Sequence, residues 1–198
     1  MMRYARTILG YHGCDASVAE EVLQGRASLK ASENAYDWLG RGIYFWEHGP
    51  ERALQWAREL RERDQGRPPL HRDPIVTPAV VGAVIHLGQC FDLLDVANTD
   101  SLAQWAEEYR RTVIESGRRL PENRGQPPWR LLREGDCAVL NTFLELRADQ
   151  GARHDTVRGC FLEGEPIYPG SGIYRLAHIQ VAVREPACIV GVFRPTMG

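Results

Sequence analysis

Short apolar runs, separated by glycine, proline and polar residues, recur along the chain and are typical of β-strands. The predicted strands are residues 5–13, 43–46, 79–87, 156–162, 174–183 and 188–193. The run at 79–87 is apolar almost throughout, which predicts a strand that is covered on both faces. The chain therefore contains enough extended segments for a sheet with a buried interior.

Apolar residues at helical spacing predict four helices between these strands. The predicted helices are residues 17–24, 50–63, 98–115 and 136–146. Ser17 is the predicted N-cap of the first helix, and Asn98 or Thr99 that of the third, because short polar side chains bond the free N–H groups at a helix start. Proline-rich stretches at 65–78 and 118–129 are predicted loops.

The order of these elements indicates an α+β fold, because strands and helices mix without the alternation of a doubly wound sheet. The 198 residues suit a single domain spanning 1–198. Apolar and charged contents of 43% and 25% are ordinary for a soluble globular protein. The sequence shows no targeting pattern and no apolar run of about 18 residues, so we expect a cytoplasmic protein without a membrane partner.

Charge and cysteine content exclude some classes of function. A net charge of −2 gives no overall attraction to nucleic acid or membranes. Five scattered cysteines without a C-x-x-C pair argue against a disulfide framework and against a zinc site, so we expect five buried thiols and no metal. The sequence also lacks the phosphate-binding loop and the zinc-protease motif.

Two short motifs carry the chemistry of the N-terminal third. Tyr11-His12-Gly13-Cys14 ends the first predicted strand, and Gly40-Arg41-Gly42-Ile43-Tyr44-Phe45 leads into the second. Together they resemble the ADP-ribosyltransferase superfamily, in its poly(ADP-ribose) polymerase and diphtheria-toxin branch. The resemblance implies that NAD is the substrate, that His12 holds the nicotinamide ribose, and that Tyr44 lies on the nicotinamide ring.

The resemblance assigns further residues around the same ligand. It implies that Gly40 and Gly42 let the backbone approach NAD closely and that Gly13 and Gly42 belong to the cofactor-binding residues. It also implies that an aromatic residue on the next helix stacks on the second face of nicotinamide. Trp56 is that candidate, one position beyond the strict alignment. Stacking on each face contributes about 1 kcal/mol beyond the burial of area. Arg158 is predicted to meet either an NAD phosphate or a carboxylate such as Glu163.

The third catalytic position departs from the family pattern. The branch carries a glutamate at the start of a late strand, and Gln180 stands there in this chain. A neutral amide can hold the ribose hydroxyl but lacks the anionic stabilisation, a loss of about 2–4 kcal/mol of barrier if nothing compensates. His178 shares a face of the strand with Gln180. Glu163 or Glu165 could supply the carboxylate, unless both are solvated loop acids.

The resemblance covers residues 9–13, 40–57 and 174–193 and implies two packed, mostly antiparallel sheets with an NAD cleft. Residues 65–150 are expected to include a helical insertion specific to this lineage. The loop at 166–173 corresponds to the family's target-recognition loop, where Tyr168 could stack on a target, although a plain connecting turn fits the same residues.

The function that the resemblance implies is mono-ADP-ribosyl transfer to a macromolecule, either protein or nucleic acid. A solitary catalytic domain of this kind suggests a bacterial toxin, effector or anti-phage module, with an antitoxin partner. Two alternatives stay open at this point. One is an NAD glycohydrolase, which uses water as the acceptor, and the other is a catalytically silent module that binds NAD or ADP-ribose.

Overall fold

The computed structural model describes residues 6–65, 73–126 and 130–196, and within them the chain is α+β, as the sequence predicts. The strands are β1 (Thr7–Asp15), β2 (Ile43–Glu47), β3 (Pro78–His86), β4 (Cys90–Asp92), β5 (Asn123–Arg124), β6 (Leu132–Arg133), β7 (Thr156–Phe161), β8 (His178–Val183) and β9 (Ile189–Phe193). The helices are α1 (Ala16–Leu23), α2 (Pro50–Asp64), α3 (Val96–Glu115) and α4 (Glu134–Asp149).

Seven of these strands form one sheet in the order β4-β7-β8-β2-β1-β3-β9. Only β4 and β7 run parallel, and β5 pairs with β6 in a separate two-stranded ribbon. The expected pair of packed sheets is therefore not formed by the described residues, because helices rather than strands cover the main sheet. The apolar strand β3 pairs with β1 along its whole length and with β9 on its other edge.

The two faces of the sheet pack against different helices. Residues directly opposite in an antiparallel pair share a face, and successive residues of a strand alternate between faces. On one side, which we call the α1 face, Phe45 and Val181 join a core that includes Ala19 and Val22 of α1. The other side is the α2/α4 face.

On the α2/α4 face, two helices cover different parts of the sheet. Trp46 packs with Ala53 of α2, and Ala182 packs with Leu140 and Phe143 of α4. Strands β2 and β8 thus lie where the coverage passes from one helix to the other.

Both predicted helix caps were wrong by two to four residues. Asp15 caps α1 by accepting from the backbone N–H of Ser17 at 2.9 Å, and it also accepts from the Ser17 hydroxyl. Asp95 caps α3 in the same way, accepting from the N–H of Ala97 at 3.0 Å. In each case the N-cap is an aspartate that directly precedes the helix. The predicted N-caps, which are hydroxyl or amide side chains, lie two to four residues further along the chain.

The region predicted to include a helical insertion, residues 65–150, contains strands of the main sheet as well as elements outside it. Strands β3 and β4 belong to the main sheet, whereas α3, β5, β6 and α4 lie between β4 and β7 in the chain. The strand β4, which the sequence analysis missed, contains only three residues. The predicted strand at 174–183 begins only at His178. The predicted loops at 65–78 and 118–129 lie partly outside the described residues.

The cysteines are free, and four of the five are buried as expected. Cys160 is the exception, since it is exposed on β7. Burial raises the pKa of the Cys14 and Cys90 thiols to about 12, which makes both of them poor nucleophiles. Within the described ranges, no helix has the length and apolar character needed to cross a membrane.

Candidate active site

The sheet brings the three predicted catalytic residues onto neighbouring strands. His12 lies on β1, Tyr44 on β2 and Gln180 on β8, and these strands are adjacent in the order β8-β2-β1. The register places Gln180 opposite Trp46, and Tyr44 opposite Ala182, all on the α2/α4 face. The side chain of His12 starts from the opposite face, because β1 pairs Tyr11 with Trp46.

Strands β1 and β2 separate at this point. Their ladder comprises the pairs Gly10–Glu47 and Tyr11–Trp46 and goes no further towards Gly13. The carbonyl of Leu9 accepts from the N–H of His48 at 3.0 Å, so backbone groups of alternate residues from Leu9 onward point towards β2. The backbone N–H and C=O of Gly13 therefore point towards the gap between the two strands.

The imidazole of His12 bridges that gap. Its Nδ1 donates to the carbonyl oxygen of Tyr44 at 2.8 Å, because a carbonyl can only accept. Burial lowers the pKa of His12, and the bond to Tyr44 only partly opposes this effect. The neutral ring therefore keeps a lone pair on Nε2, which has no hydrogen-bond partner among the described residues. His12 can accept a hydrogen bond from a ligand hydroxyl.

The Tyr44 hydroxyl has a structural role. It donates to the carbonyl of Gly40 at 2.6 Å and accepts from the N–H of Leu39 at 2.8 Å. Burial, with the nearby Asp37 carboxylate second, raises the pKa of Tyr44 well above its ordinary value. The phenol thus fixes the turn that leads into β2, while stacking of its ring on nicotinamide stays a prediction.

The glycines of the two motifs are required by contacts within the protein. A Cβ on Gly13 would overlap the carbonyl of Ala53 in α2, and one on Gly42 would lie 3.1 Å from the Cβ of Ala182. Gly40 has a φ of +71° and packs against the side chain of Asn141. These contacts with α2, α4 and β8 account for the glycines within the protein, and a close approach of NAD to the same backbone stays a prediction.

A group of polar side chains occupies the α2/α4 face beside Gln180. We call Trp46, Arg52, Glu163, His178 and Gln180 the β2–β8 cluster. The Arg52 guanidinium carbon lies 5.7 Å from the centre of the Trp46 ring, and the rings of Trp46 and His178 are 6.3 Å apart. The guanidinium donates to the Glu163 carboxylate at 2.9 Å.

Several polar atoms of the β2–β8 cluster are buried and have no hydrogen-bond partner in the part of the chain that the structure describes. They are Nε1 of Trp46, Nε and Nη1 of Arg52, and Nε2 of His178. Gln180 is only 9% exposed, and its amide makes no hydrogen bond within the described residues. An unsatisfied buried group costs about 1–3 kcal/mol, so a concentration of them favours a ligand that supplies the missing partners.

His178 is held in one tautomer. Its Nδ1 donates to the carbonyl of Leu176 at 2.6 Å, which leaves the lone pair on Nε2. Burial lowers the pKa of His178, and the nearby Arg52 and Arg133 lower it further. Its side chain is 6% exposed, so the structure holds a neutral imidazole with a free acceptor atom in an enclosed position.

Of the two glutamates proposed as a substitute carboxylate, only Glu163 lies in the cluster. Its Oε2 lies 2.9 Å from Arg52 and 3.8 Å from Nδ1 of His178. Glu165 is exposed, and its backbone carbonyl accepts from the N–H of Arg175. The structure therefore distinguishes Glu163 from Glu165, which the sequence alone could not do.

Arg158 does not meet Glu163, and its guanidinium is not available to a phosphate. It donates to Glu47 at 2.5 Å and to Asp92 at 3.0 Å. We call Glu47, Asp92 and Arg158 the Arg158 cluster. All three side chains are 8% exposed or less. Of the two roles predicted for Arg158, the ion pair with a carboxylate is the one that the structure shows, with Glu47 and Asp92 in place of Glu163. The NAD-phosphate role is not supported, because these two carboxylates already bind the guanidinium.

Trp56 packs against another aromatic ring, whereas Tyr168 lies in an exposed turn, as expected for that loop. The ring of Trp56 packs against that of Trp46 at 5.4 Å between centres. Tyr168 is 60% exposed at a turn in which its carbonyl accepts from the N–H of Ser171. The turn is closed by the N–H of Ile167, which donates to Ile173 at 3.0 Å. A role in target recognition is open to such an exposed side chain and stays a prediction.

Sequence analysis missed Trp46, Arg52, Trp38 and Arg133 around the site. Trp46 follows Tyr44 by two residues and Arg52 precedes Trp56 by four, so strand and helix periodicities could have placed both on the relevant face. Trp38 and Arg133 come from separate segments, with the Arg133 guanidinium carbon 4.0 Å from the Trp38 ring centre. No local pattern connects these two residues.

Comparisons with known proteins assign neither a family nor a function to the chain. No family model, no curated protein and no solved structure matches the chain. Among the described residues, no group of three or more His, Cys, Asp and Glu side chains is arranged to hold a metal ion.

Proposed function

We propose that the chain is an ADP-ribosyltransferase that cleaves NAD and transfers ADP-ribose to a macromolecular acceptor. The observation that carries the proposal is the β2–β8 cluster: buried, unpartnered polar atoms lie beside Gln180, next to the strand that carries Tyr44. The gap between β1 and β2, bridged by His12, supports it independently, because it exposes backbone polar groups at a motif that resembles the family's NAD site.

In this proposal Gly13, His12 and Gln180 have partners on NAD. The carboxamide of nicotinamide has one acceptor and one donor group, which match the N–H and C=O of Gly13. The ribose hydroxyls donate to Nε2 of His12 and bond the amide of Gln180. Trp46 and Trp56 form an aromatic surface beside them, which suits a flat ring.

The reaction breaks the bond between C1″ of the ribose and the nicotinamide nitrogen. Its electron pair leaves with nicotinamide, and positive charge develops on the ribose. Gln180 holds the ribose but is neutral, whereas Glu163 supplies a negative charge on the same face. Since Arg52 partly offsets that charge, we expect weaker stabilisation of the transition state than a free carboxylate would give.

A second candidate is NAD glycohydrolysis. The observation that favours it is the enclosure of the β2–β8 cluster, where Nε2 of His178 is buried from solvent. Water reaches an enclosed position more easily than a protein side chain or a nucleotide does. A silent binding module is the alternative if the neutral Gln180 leaves no catalytic power.

The test measures nicotinamide release from NAD by the purified protein and by Gln180→Ala. Gln55→Ala is a matched control, because Gln55 lies on α2 and donates to Glu59 at an exposed position. We expect release by the wild type and the control, and a loss of at least tenfold in Gln180→Ala. NAD binding without release would indicate the silent module, and the absence of binding would refute the proposal.

Labelled NAD separates the two enzymatic outcomes. Transfer of the adenylate label to protein or nucleic acid in a cell lysate would identify a macromolecular acceptor. Quantitative conversion of NAD to free ADP-ribose in the same lysate would instead identify a glycohydrolase.

A further inference from the structure

The Nε2 atom of His178 is buried and has no hydrogen-bond partner among the described residues. The ring lies near three aromatic side chains, with centre-to-centre distances of 6.2 Å to Trp38, 6.3 Å to Trp46 and 5.9 Å to Phe161. The bond from Nδ1 to the Leu176 carbonyl fixes the proton on the other nitrogen. A buried acceptor without a donor is costly to keep, and here the fold keeps it in one orientation.

A hydroxyl group would satisfy both unpartnered ring nitrogens. Nε1 of Trp46 is a donor only and Nε2 of neutral His178 is an acceptor only, and both are buried without a partner. A hydroxyl oxygen can accept from the indole while its proton is donated to the imidazole. A guanidinium or ammonium group has no acceptor for the indole N–H.

We infer that His178 is a general base that takes the proton of a hydroxyl acceptor, so that the acceptor class is a neutral oxygen nucleophile, either water or an alcohol. This inference rests on the proposed function and deepens it. The acceptor oxygen forms a bond to C1″ with one of its lone pairs. The C1″–nitrogen bond breaks with its electron pair on nicotinamide, and the hydroxyl proton moves to Nε2 of His178.

Charged groups around His178 fit the role of a base. Glu163 lies 3.8 Å from Nδ1 and stabilises the imidazolium once the proton has arrived. Arg52 of α2 and Arg133, which precedes α4, oppose that charge and keep the resting ring neutral. Glu163 itself is ion-paired with Arg52, which makes it the weaker candidate for the base.

Two substitutions separate a base from a hydrogen-bond acceptor. His178→Asn places an amide nitrogen near the position of Nδ1, so it can keep the bond to Leu176 and removes only Nε2. His178→Gln places an amide oxygen near Nε2, which accepts a hydrogen bond but cannot take a proton at neutral pH. His86→Asn is the matched control, because His86 is exposed at the end of β3.

The experiment follows NAD turnover in water, in water with added methanol, and in water with agmatine, a guanidinium acceptor. Products are identified by mass spectrometry, and NAD binding is titrated for every variant. We expect ADP-ribose in water, 1″-O-methyl-ADP-ribose with methanol and no agmatine adduct. Both His178 variants should turn over NAD 100-fold or more slowly while their Kd for NAD changes less than threefold.

Each other outcome has a defined meaning. Full activity in His178→Gln, or an agmatine adduct from the wild type, would overturn the inference and leave the proposed function standing. NAD binding without turnover in the wild type would also overturn it. If NAD does not bind, the proposed function fails and the inference with it.

The pH dependence of NAD turnover distinguishes a general base from a residue that has only a structural role. The wild-type rate should fall on the acidic side, at a pH below the ordinary histidine value because burial lowers the pKa of His178. The charged groups around the ring are Arg52, Glu163 and Arg133, and Glu163 is the one carboxylate among these three. The acidic fall should therefore persist in Glu163→Gln and disappear from the residual activity of His178→Gln.

Discussion

Trp46 and Glu47 are neighbours on β2, but they belong to two polar clusters that differ in whether their buried polar groups have hydrogen-bond partners. Glu47 joins the Arg158 cluster, in which a guanidinium is bonded by two carboxylates. Trp46 joins the β2–β8 cluster on the opposite face, where four buried nitrogen atoms lack hydrogen-bond partners. Both clusters are buried, so exposure alone does not separate them.

This difference in hydrogen bonding indicates a structural role for the Arg158 cluster and a ligand-binding role for the β2–β8 cluster. Buried polar groups that satisfy one another need nothing from outside and contribute to a fixed structure. Those without partners lower stability until a ligand provides them. We therefore expect substitutions in the Arg158 cluster to affect folding, and substitutions in the β2–β8 cluster to affect binding.

The largest effect on stability should come from Arg158→Leu. It leaves Asp92 buried without a cation and leaves Glu47 paired only with the half-exposed Arg6 at 3.2 Å, which costs about 3–5 kcal/mol. The free energy of unfolding, measured with urea, is the readout. Arg153→Leu is the control, because Arg153 pairs with Glu185 at a largely exposed position and should cost less than about 1 kcal/mol. Equal losses in the two variants would contradict the structural role of Arg158.

A smaller effect on folding is expected on the other face. Gln180→Leu removes an amide that has no hydrogen-bond partner among the described residues, so stability should change by less than about 1 kcal/mol. The comparison is Thr156→Val, which removes a fully buried hydroxyl that donates to the Leu87 carbonyl at 2.6 Å and should cost about 1–2 kcal/mol. A larger loss in Gln180→Leu than in Thr156→Val would show that the Gln180 amide has a partner after all.

The smallest effect should be the pH dependence of folding. Burial lowers the pKa values of His12 and His178 in the folded chain, so below about pH 6.5 the unfolded chain binds protons first. Stability should therefore be lower at pH 5.5 than at pH 7.5. The double variant His12→Asn/His178→Asn should show a smaller decrease, and an unchanged decrease would place its origin in other groups.

Sequence periodicity predicted most of the fold, since it located six of the strands and all four helices to within a few residues. It failed where contacts between residues distant in the sequence determine the structure. The three-residue strand β4 is too short to show alternation, and it exists because β7 pairs with it in parallel. Asp15 caps α1 while it also accepts from the N–H groups of Val76 and Thr77, a contact that no sequence pattern predicts.

The candidate site was predictable only in part, for a related reason. The motifs located His12, Tyr44 and Gln180 on strands that prove to be adjacent. The carboxylate partners of Arg158 were not predicted because Glu47 and Asp92 come from distant segments. Glu163 and Glu165 look alike in sequence, and only the packing of α2 brings Arg52 to one of them.

The most direct test is the NMR signal of the Trp46 indole N–H during titration with NAD. The chain has five tryptophans, and Trp46→Phe identifies the signal by its disappearance. If the β2–β8 cluster is the ligand site, NAD will shift this signal, because the indole gains a hydrogen-bond acceptor. A titration in which NAD binds but the Trp46 signal stays in place, or in which NAD does not bind, would contradict the assignment of function to this face.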